Sequence, residues 1–280
     1  MRAMRRSPFA ALPILSCAGL LAQAPPPRVE NIQDNSFLVE EAYNQETGVV
    51  QHISTFTRFQ STGDWAYTFT QEWPVYGLEH QLSFTVPLLG LEDGAKARKL
   101  GDVALNYRYQ LAGDGDAAFA CSPRFSVVLP TGDADVGYGS GDVGYQLGIP
   151  LSVALDPRLA LHVNLGATWT PSAKSADGDR AGTFAPSVGG SLVWLATPTL
   201  NFMVESLYTR GESVVGRGQT AKDESFYVSP SFRAAINFES GLQIVPGIAF
   251  PIGVGPSAGD RAIFLYLSFE HPFKKLKGTS

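Results

Sequence analysis

The sequence predicts an all-β fold: a single closed antiparallel transmembrane β-barrel of about 12 strands behind an N-terminal signal peptide. Three observations predict it: long stretches in which apolar and polar residues alternate, connections that alternate between short and long, and an export signal at the start. The composition agrees, because 44% of the 280 residues are hydrophobic and only 17% are charged. After the export signal, no apolar run approaches the roughly 18–20 residues of a spanning helix.

The N-terminus has the parts of a secretory signal peptide, which we expect to occupy residues 1–24. Three arginines within the first six residues are followed by an apolar core at 8–21 and by an Ala-Gln-Ala cleavage site. A weaker alternative is a lipoprotein signal in which Cys17 carries a lipid. Removal of residues 1–24 leaves 18 basic and 26 acidic residues, a net charge of −8, which argues against nucleic-acid binding.

The alternation is clearest in the 11 residues from Leu159 to Trp169. Successive side chains of a strand point to opposite faces, so this segment has an apolar face with Leu165 and a polar face with His162. Its length is roughly that of a tilted membrane-crossing strand. The same pattern, interrupted by turn signals, predicts about 12 strands. They span residues 49–60, 64–73, 77–88, 100–112, 117–129, 141–155, 158–170, 182–196, 199–210, 225–238, 241–252 and 261–272.

Connection lengths favour a closed barrel over a soluble sandwich, because outer-membrane barrels have short periplasmic turns and longer outer loops. The connections expected at the periplasmic end are short and rich in turn-forming residues. They lie at 74–76, 112–116, 156–157, 197–198 and 239–240. The intervening connections are longer, apart from the first hairpin at 61–64, and lie at 89–100, 131–141, 171–181, 211–224 and 253–260. Aromatic residues near strand ends, such as Trp169 and Trp194, are typical of the two interfacial girdles.

The predicted organisation divides the chain into four parts. A periplasmic or luminal lead-in at 25–48 follows the signal peptide, the barrel covers 49–273, and a polar tail covers 274–280. Residues 31–46 of the lead-in show no strand pattern. They either fold into the lumen as a plug, near the luminal arginines, or stay loose on the periplasmic side, and the sequence leaves both possibilities open.

Ionisable residues on the polar faces are the candidate functional residues, because this face lines the lumen of a closed barrel. The lumen-lining candidates are Arg108, Arg124, Arg233, Glu72, Glu79, Asp102, Asp142, Glu205 and His162. Such charges either set the local field for a permeating solute or pair with one another to fill a narrow lumen, since buried charges are usually paired.

The sequence predicts no enzyme activity, cofactor or metal site. It has no His-Glu-x-x-His motif, and His162 is the one inward-pointing candidate base for a lipase-like reaction. The connection at 131–142 carries Asp133, Asp135 and Asp142 among glycines, but the EF-hand pattern of a Ca²⁺ site is missing. We therefore expect a solvated outer loop there.

Two stretches resemble a known family. Residues 37–46 (FLVEEAYNQE) lead into 48–52 (GVVQH), and residues 128–133 (VLPTGD) are followed by 139–142 (GSGD). They resemble outer-membrane transporters labelled after the MetA pathway of phenol degradation. The resemblance implies a monomeric barrel in the outer membrane of a Gram-negative bacterium, which passes small and often hydrophobic molecules.

The sequence thus predicts a porin-like channel for passive passage of small, hydrophobic or aromatic organic molecules. Outer-membrane lipid, a small solute and the barrel assembly machinery are the expected partners, the last because the aromatic-rich close at 266–269 resembles an assembly signal. Three alternatives remain: a plugged structural or adhesive barrel whose outer loops bind partners, an outer-membrane lipase, and a secreted soluble β protein.

Overall fold

A computed structural model of the chain describes residue 32 and residues 34–92 and 98–273. The predicted signal peptide and the C-terminal tail lie outside the described residues. Among the described residues, no helix is long and apolar enough to span a membrane.

The described residues form sixteen strand segments in one antiparallel sheet. They are β1 (Val49–Phe59), β2 (Trp65–Val75), β3 (His80–Gly90), β4 (Arg98–Leu100), β5 (Val103–Tyr109), β6 (Phe119–Cys121), β7 (Arg124–Leu129), β8 (Gly144–Asp156), β9 (Leu159–Lys174), β10 (Arg180–Thr197), β11 (Leu200–Gly216), β12 (Gln219–Ala234), β13 (Ile236–Asn237), β14 (Gln243–Ala249), β15 (Ile252–Gly253) and β16 (Ala262–Pro272). The segment pairs β4–β5, β6–β7, β12–β13 and β14–β15 each continue one strand across a short break, so the barrel has 12 strands.

The sheet closes on itself through its first and last strands. β1 pairs with β2 on one side and with β16 on the other, and its pairing with β16 runs without a break from Val49↔Pro272 to Phe59↔Ala262. A continuous ladder of this kind leaves no free edge at the seam. The prediction of a closed antiparallel barrel of about 12 strands is confirmed.

The barrel is polar inside and apolar outside, the reverse of a soluble sandwich. Outward side chains such as Leu165 and Val204 are 48% and 54% exposed. Inward side chains on the same or neighbouring strands, such as Ser191 and Glu205, are 0% exposed. An apolar exterior of this kind is stable only in contact with lipid.

Aromatic side chains form clusters on the outer surface at both ends of the barrel. Near the short turns, Trp194, Phe202 and Phe232 have successive ring-centroid distances of 5.7 and 6.3 Å. Near the outer loops, Tyr145 lies 5.8 Å from Trp169. This distribution matches the two interfacial girdles of membrane barrels.

Two of the predicted outer loops are largely strand. β9 continues to Lys174 and β10 begins at Arg180, while β11 continues to Gly216 and β12 begins at Gln219. The predicted loops at 171–181 and 211–224 are therefore wrong in extent. Beyond the lipid, both faces of a hairpin contact water, so the alternation that marks a transmembrane strand disappears although the strands stay paired.

The lipid-facing assignment makes a quantitative prediction for β9. Leu165→Arg places a charge against the middle of the membrane and is expected to lower the free energy of unfolding by about 2–4 kcal/mol. Thr168→Arg points into the barrel and is expected to change it by less than about 1 kcal/mol. Urea unfolding in lipid vesicles measures both, and equal losses would contradict the assignment.

Candidate functional site

The periplasmic half of the lumen is filled by the residues that precede β1. We call the described residues 32 and 34–48 the inner segment. Inward side chains around it are almost fully buried, with Gln51 0%, Arg233 1%, His162 2% and Gln81 2% exposed. Of the two positions that the sequence left open for this segment, the structure shows the one inside the barrel.

Glu205 of β11 binds one turn of the inner segment through its backbone. Its Oε1 accepts hydrogen bonds from the N–H groups of Phe37, Leu38 and Val39 at 2.9, 2.8 and 3.3 Å. Ser231 donates to the other carboxylate oxygen at 3.3 Å. Three N–H groups that converge on one carboxylate form an anion-binding turn. Glu205 therefore provides a hydrogen-bond acceptor for backbone N–H groups that have no neighbouring strand to pair with.

Arg233 of β12 binds the carbonyl groups at the start of the inner segment. It donates to the carbonyl oxygens of Ile32, Asp34 and Asn35 at 3.0, 2.5 and 2.9 Å. It also forms an ion pair with Glu41 at 3.0 Å. Arg233 and Glu41 are both buried, so removal of either side chain leaves its partner without a counter-charge at this contact.

Glu40 of the inner segment lies between the two other predicted luminal arginines. Arg108 and Arg124 both pair with its carboxylate, Arg124 at 2.7 Å. Asn164 of β9 exchanges two hydrogen bonds of 2.8 Å with the Glu40 backbone, as a neighbouring strand would. Burial raises the pKa of Glu40, but Arg124 and Arg108 outweigh it and lower the pKa to about 2.

The lowered pKa of Glu40 predicts an acid-sensitive attachment of the inner segment. A carboxyl whose pKa falls from 4.5 to about 2 on folding stabilises the folded state above pH 4.5, and this contribution is lost as the pH falls toward 2. Burial raises the pKa of Asp34, which opposes this trend. We therefore expect the wild type to lose more stability than Glu40→Gln between about pH 4.5 and 2. Thermal unfolding in detergent at several pH values measures the difference, and parallel pH profiles would contradict it.

His162 belongs to a buried chain of polar groups with the order of a hydrolase triad. Its Nδ1 lies 2.7 Å from Ser152 Oγ, and its Nε2 lies 3.8 Å from Glu41 Oε1. Ser152 Oγ also accepts a hydrogen bond from the backbone N–H of Ala42 at 2.8 Å, and the cavity beside His162 has a volume of about 10 Å³. An acyl substrate needs space next to the nucleophile, so this chain of contacts fixes the inner segment instead.

The remaining predicted residues lie in three different places. Glu72 is 7% exposed and accepts a hydrogen bond from Gln81 at 2.8 Å, beside a cavity of about 260 Å³ at the periplasmic end. Glu79 lies in the turn after β2 with its side chain 71% exposed. Its predicted position in the lumen wall is wrong, because β3 begins only at His80 and the alternation of a strand does not apply to the turn before it.

Asp102 and Asp142 lie at the outer end of the barrel, at the connection between β7 and β8. Asp102 accepts hydrogen bonds from the N–H groups of Gly132 and Ser140 at 2.9 and 2.6 Å, and Asp142 accepts one from Val143 N–H. These two acids organise an outer loop, contrary to the prediction that they line the lumen.

The other acids of the same loop pair with lysines. Asp133 pairs with Lys99 at 2.6 Å, and Asp135 pairs with Lys174. In the part of the chain that the structure describes, no group of three or more potential ligands could hold a metal ion.

Several residues that bind the inner segment were missed by the sequence analysis. Asp34 accepts hydrogen bonds from Tyr266, from Ser268 at 2.5 Å and from Gln51 at 2.7 Å. The sequence did carry one signal for these three residues. The alternation places all of them on the inward faces of β16 and β1, which are neighbouring strands. Asp34 itself lies in an aperiodic stretch and gave no signal.

The outer half of the lumen differs from the periplasmic half. Inward side chains there are partly exposed, and most of those that form its wall are uncharged. One carboxylate borders it, since Asp260 accepts a hydrogen bond from Tyr227 at 3.1 Å. We call this region the outer vestibule, and its wall includes Thr55, Thr57, Phe59, Thr68, Thr70, Thr85, Thr168, Leu207 and Tyr227. Two threonine pairs, 55–68 and 70–85, bond each other at 2.6 and 2.9 Å, and the rings of Phe59 and Tyr227 lie 6.3 Å apart.

Comparisons with solved structures identify the fold. The chain is similar to the COG4313 outer membrane channel from Pseudomonas putida F1, with 13% identity, 82% of this chain and 97% of that chain covered, and a TM-score of 0.59. It is also similar to the NanC porin, with 9% identity, 78% and 98% covered, and a TM-score of 0.52. A comparison with curated proteins finds no match.

A family model described as "Putative MetA-pathway of phenol degradation" matches residues 30–250. The match includes the inner segment and most of the barrel, and it confirms the resemblance found in the sequence. The chain therefore belongs to the MetA-pathway of phenol degradation family and has the fold of a bacterial outer-membrane β-barrel.

Proposed function

We propose that the chain is a passive outer-membrane channel for small, hydrophobic or aromatic organic molecules, with no enzymatic step. We further propose that it acts as a monomer that the barrel assembly machinery inserts. The observation that carries the proposal is the outer vestibule, a partly exposed and mostly uncharged lumen wall at the outer end of a lipid-facing barrel.

The chemistry of the vestibule wall favours uncharged solutes. The threonine pairs 55–68 and 70–85 satisfy one hydrogen bond of each pair internally, while Phe59 and Tyr227 offer ring surface. An aromatic solute gains contact area there. A carboxylate group would lose hydration without meeting an opposite charge on these residues. The family description, which refers to phenol degradation, supports an aromatic cargo.

The inner segment sets the condition for passage along the barrel axis. It occupies the periplasmic half of the lumen and is bound by Glu205, Arg233 and Arg108. A solute that travels along the axis therefore needs this segment to move. Until it moves, the inner segment closes the periplasmic side of the outer vestibule.

Uptake by whole cells tests the channel, because hydrophobic solutes cross plain vesicles unaided. Cells that produce the protein should accumulate labelled benzyl alcohol faster than cells without it, and should show no gain for benzoate. Thr57→Lys places a charge in the vestibule wall and should abolish the gain, whereas Val215→Lys, at an exposed hairpin position, should keep it. Equal uptake with and without the protein would refute the proposal.

A second candidate is a structural or adhesive barrel whose lumen stays closed. The many hydrogen bonds between the inner segment and the wall favour it, since nine of them involve Glu205, Arg233 and Asn164 with the segment's backbone or Glu41. This candidate predicts no protein-dependent uptake of any solute.

A further inference from the structure

Four residues from adjacent strands lie side by side on the lipid-facing surface at the outer end of the barrel. Arg58 pairs with Trp65, Trp65 with Gly90, and Gly90 with Arg98. The outward direction follows from strand phase and from the 5.9 Å contact of Trp65 with Phe56 on the same face. Neighbouring strands are about 4.8 Å apart, so the row from Arg58 to Arg98 spans about 14 Å.

Trp65 lies flat across the neighbouring strand because that strand has a glycine at this point. A Cβ atom at Gly90 would be 2.2 Å from both Nε1 and Cε2 of the indole. On the far side, the guanidinium carbon of Arg98 lies 5.8 Å from the Trp65 ring centroid, within the range of a cation–π contact. The row is therefore a preformed surface, in which the indole holds one arginine in place.

The arginines of this row have no counter-charge in the described part of the chain. Arg58 and Arg98 are exposed, and neither belongs to the ion pairs found among the described residues. Arg261 is a third exposed cation nearby. It precedes by two residues Ile263, the β16 residue that lies opposite Arg58 in the β1–β16 ladder. Lipid-facing charges are costly at the centre of the membrane but are tolerated at its rim, where lipid head groups can compensate them.

We propose that Arg58, Trp65 and Arg98 bind the phosphorylated head group of lipopolysaccharide in the outer leaflet. Guanidinium groups match phosphate oxygens with two parallel hydrogen bonds. Tryptophan suits the level between head groups and acyl chains. The row lies at the end of the barrel from which the β9–β10 and β11–β12 hairpins extend. This is the outer-leaflet side, where the phosphate-bearing lipid is lipopolysaccharide.

Lipid binding to the purified full chain in detergent tests the site. The probes are lipid A with its phosphates, lipid A with the phosphates removed, and phosphatidylethanolamine, followed by native mass spectrometry. Arg58→Gln and Arg98→Gln should each weaken binding of phosphorylated lipid A about tenfold. Arg217→Gln, in the exposed turn between β11 and β12, is the matched charge control and should leave it unchanged.

Gly90→Val tests the flat tryptophan separately, because it displaces the indole and keeps both arginines. It should weaken binding of phosphorylated lipid A, and if it fails to fold, Trp65→Leu replaces it. Resistance of the folded barrel to unfolding in SDS at room temperature verifies the fold of each variant. Equal binding of the two lipid A forms, or an equal loss with Arg217→Gln, would overturn the proposal.

Discussion

Deletion of residues 25–47 should convert a nearly closed barrel into an open pore. The inner segment fills the periplasmic half of the lumen, and a 12-strand barrel lies between packed eight-strand barrels and water-filled porins. We expect single-channel conductance to rise by about tenfold or more, because ions then meet a continuous water-filled path. Recordings in planar lipid bilayers measure the change.

A linker variant controls for the length of the deleted segment. Replacement of residues 34–47 by glycine and serine keeps the chain length but removes the side chains that fill the lumen. It should also raise conductance, though less than the deletion because the linker still enters the barrel mouth. If both variants conduct no better than the wild type, the inner segment is not the barrier.

Arg233→Met should be the most destabilising single substitution in the lumen. It leaves the Glu41 carboxylate and the carbonyl groups of Ile32, Asp34 and Asn35 without their donor. Breaking a buried pair by removing one partner costs about 3–5 kcal/mol. We expect a loss of this size in the free energy of unfolding, measured in vesicles, together with more frequent open events in bilayer recordings.

The double variant Arg233→Met with Glu41→Leu separates the lost charge pair from the lost packing. Removal of both charges should recover part of the stability, because no uncompensated carboxylate stays buried. A single-variant loss below about 1 kcal/mol would show that Arg233 does not anchor the segment. A double variant that loses the sum of both single effects would show that the Arg233–Glu41 pair contributes no coupling energy.

The transmembrane part of the fold was predictable because lipid imposes a strict pattern. Each crossing strand must present apolar residues to lipid and is free to present polar ones inward, so the outward direction of Leu165 and the inward direction of His162 follow from their positions. The first strand follows the same phase, with Phe56 outward beside Trp65 and Phe59 inward beside Tyr227. Above the membrane this constraint ends, so the sequence pattern predicts a loop where the structure has the extended β11–β12 hairpin.

For the lumen, the sequence predicted the inward residues of the strands but not the groups of the inner segment that they bind. Strand phase placed Glu205, Arg233 and His162 inward, but their partners are backbone groups of a segment without periodicity. Nothing in the sequence marks the N–H of Leu38 as the ligand of a carboxylate far along the chain. The alternation of inward and outward side chains also ends within a few residues of a strand end, so it does not predict the exposed position of Glu79.

Cysteine labelling of intact cells tests the central claim, that the lumen is an outer vestibule closed below by the inner segment. In a Cys121→Ala background, a membrane-impermeant maleimide should label Thr57→Cys in the vestibule wall and should not label lipid-facing Leu165→Cys. Ser191→Cys, which is 0% exposed and contacts Ser36, should be labelled only after deletion of residues 25–47. Labelling of Ser191→Cys in the full chain, or protection of Thr57→Cys, would contradict the account.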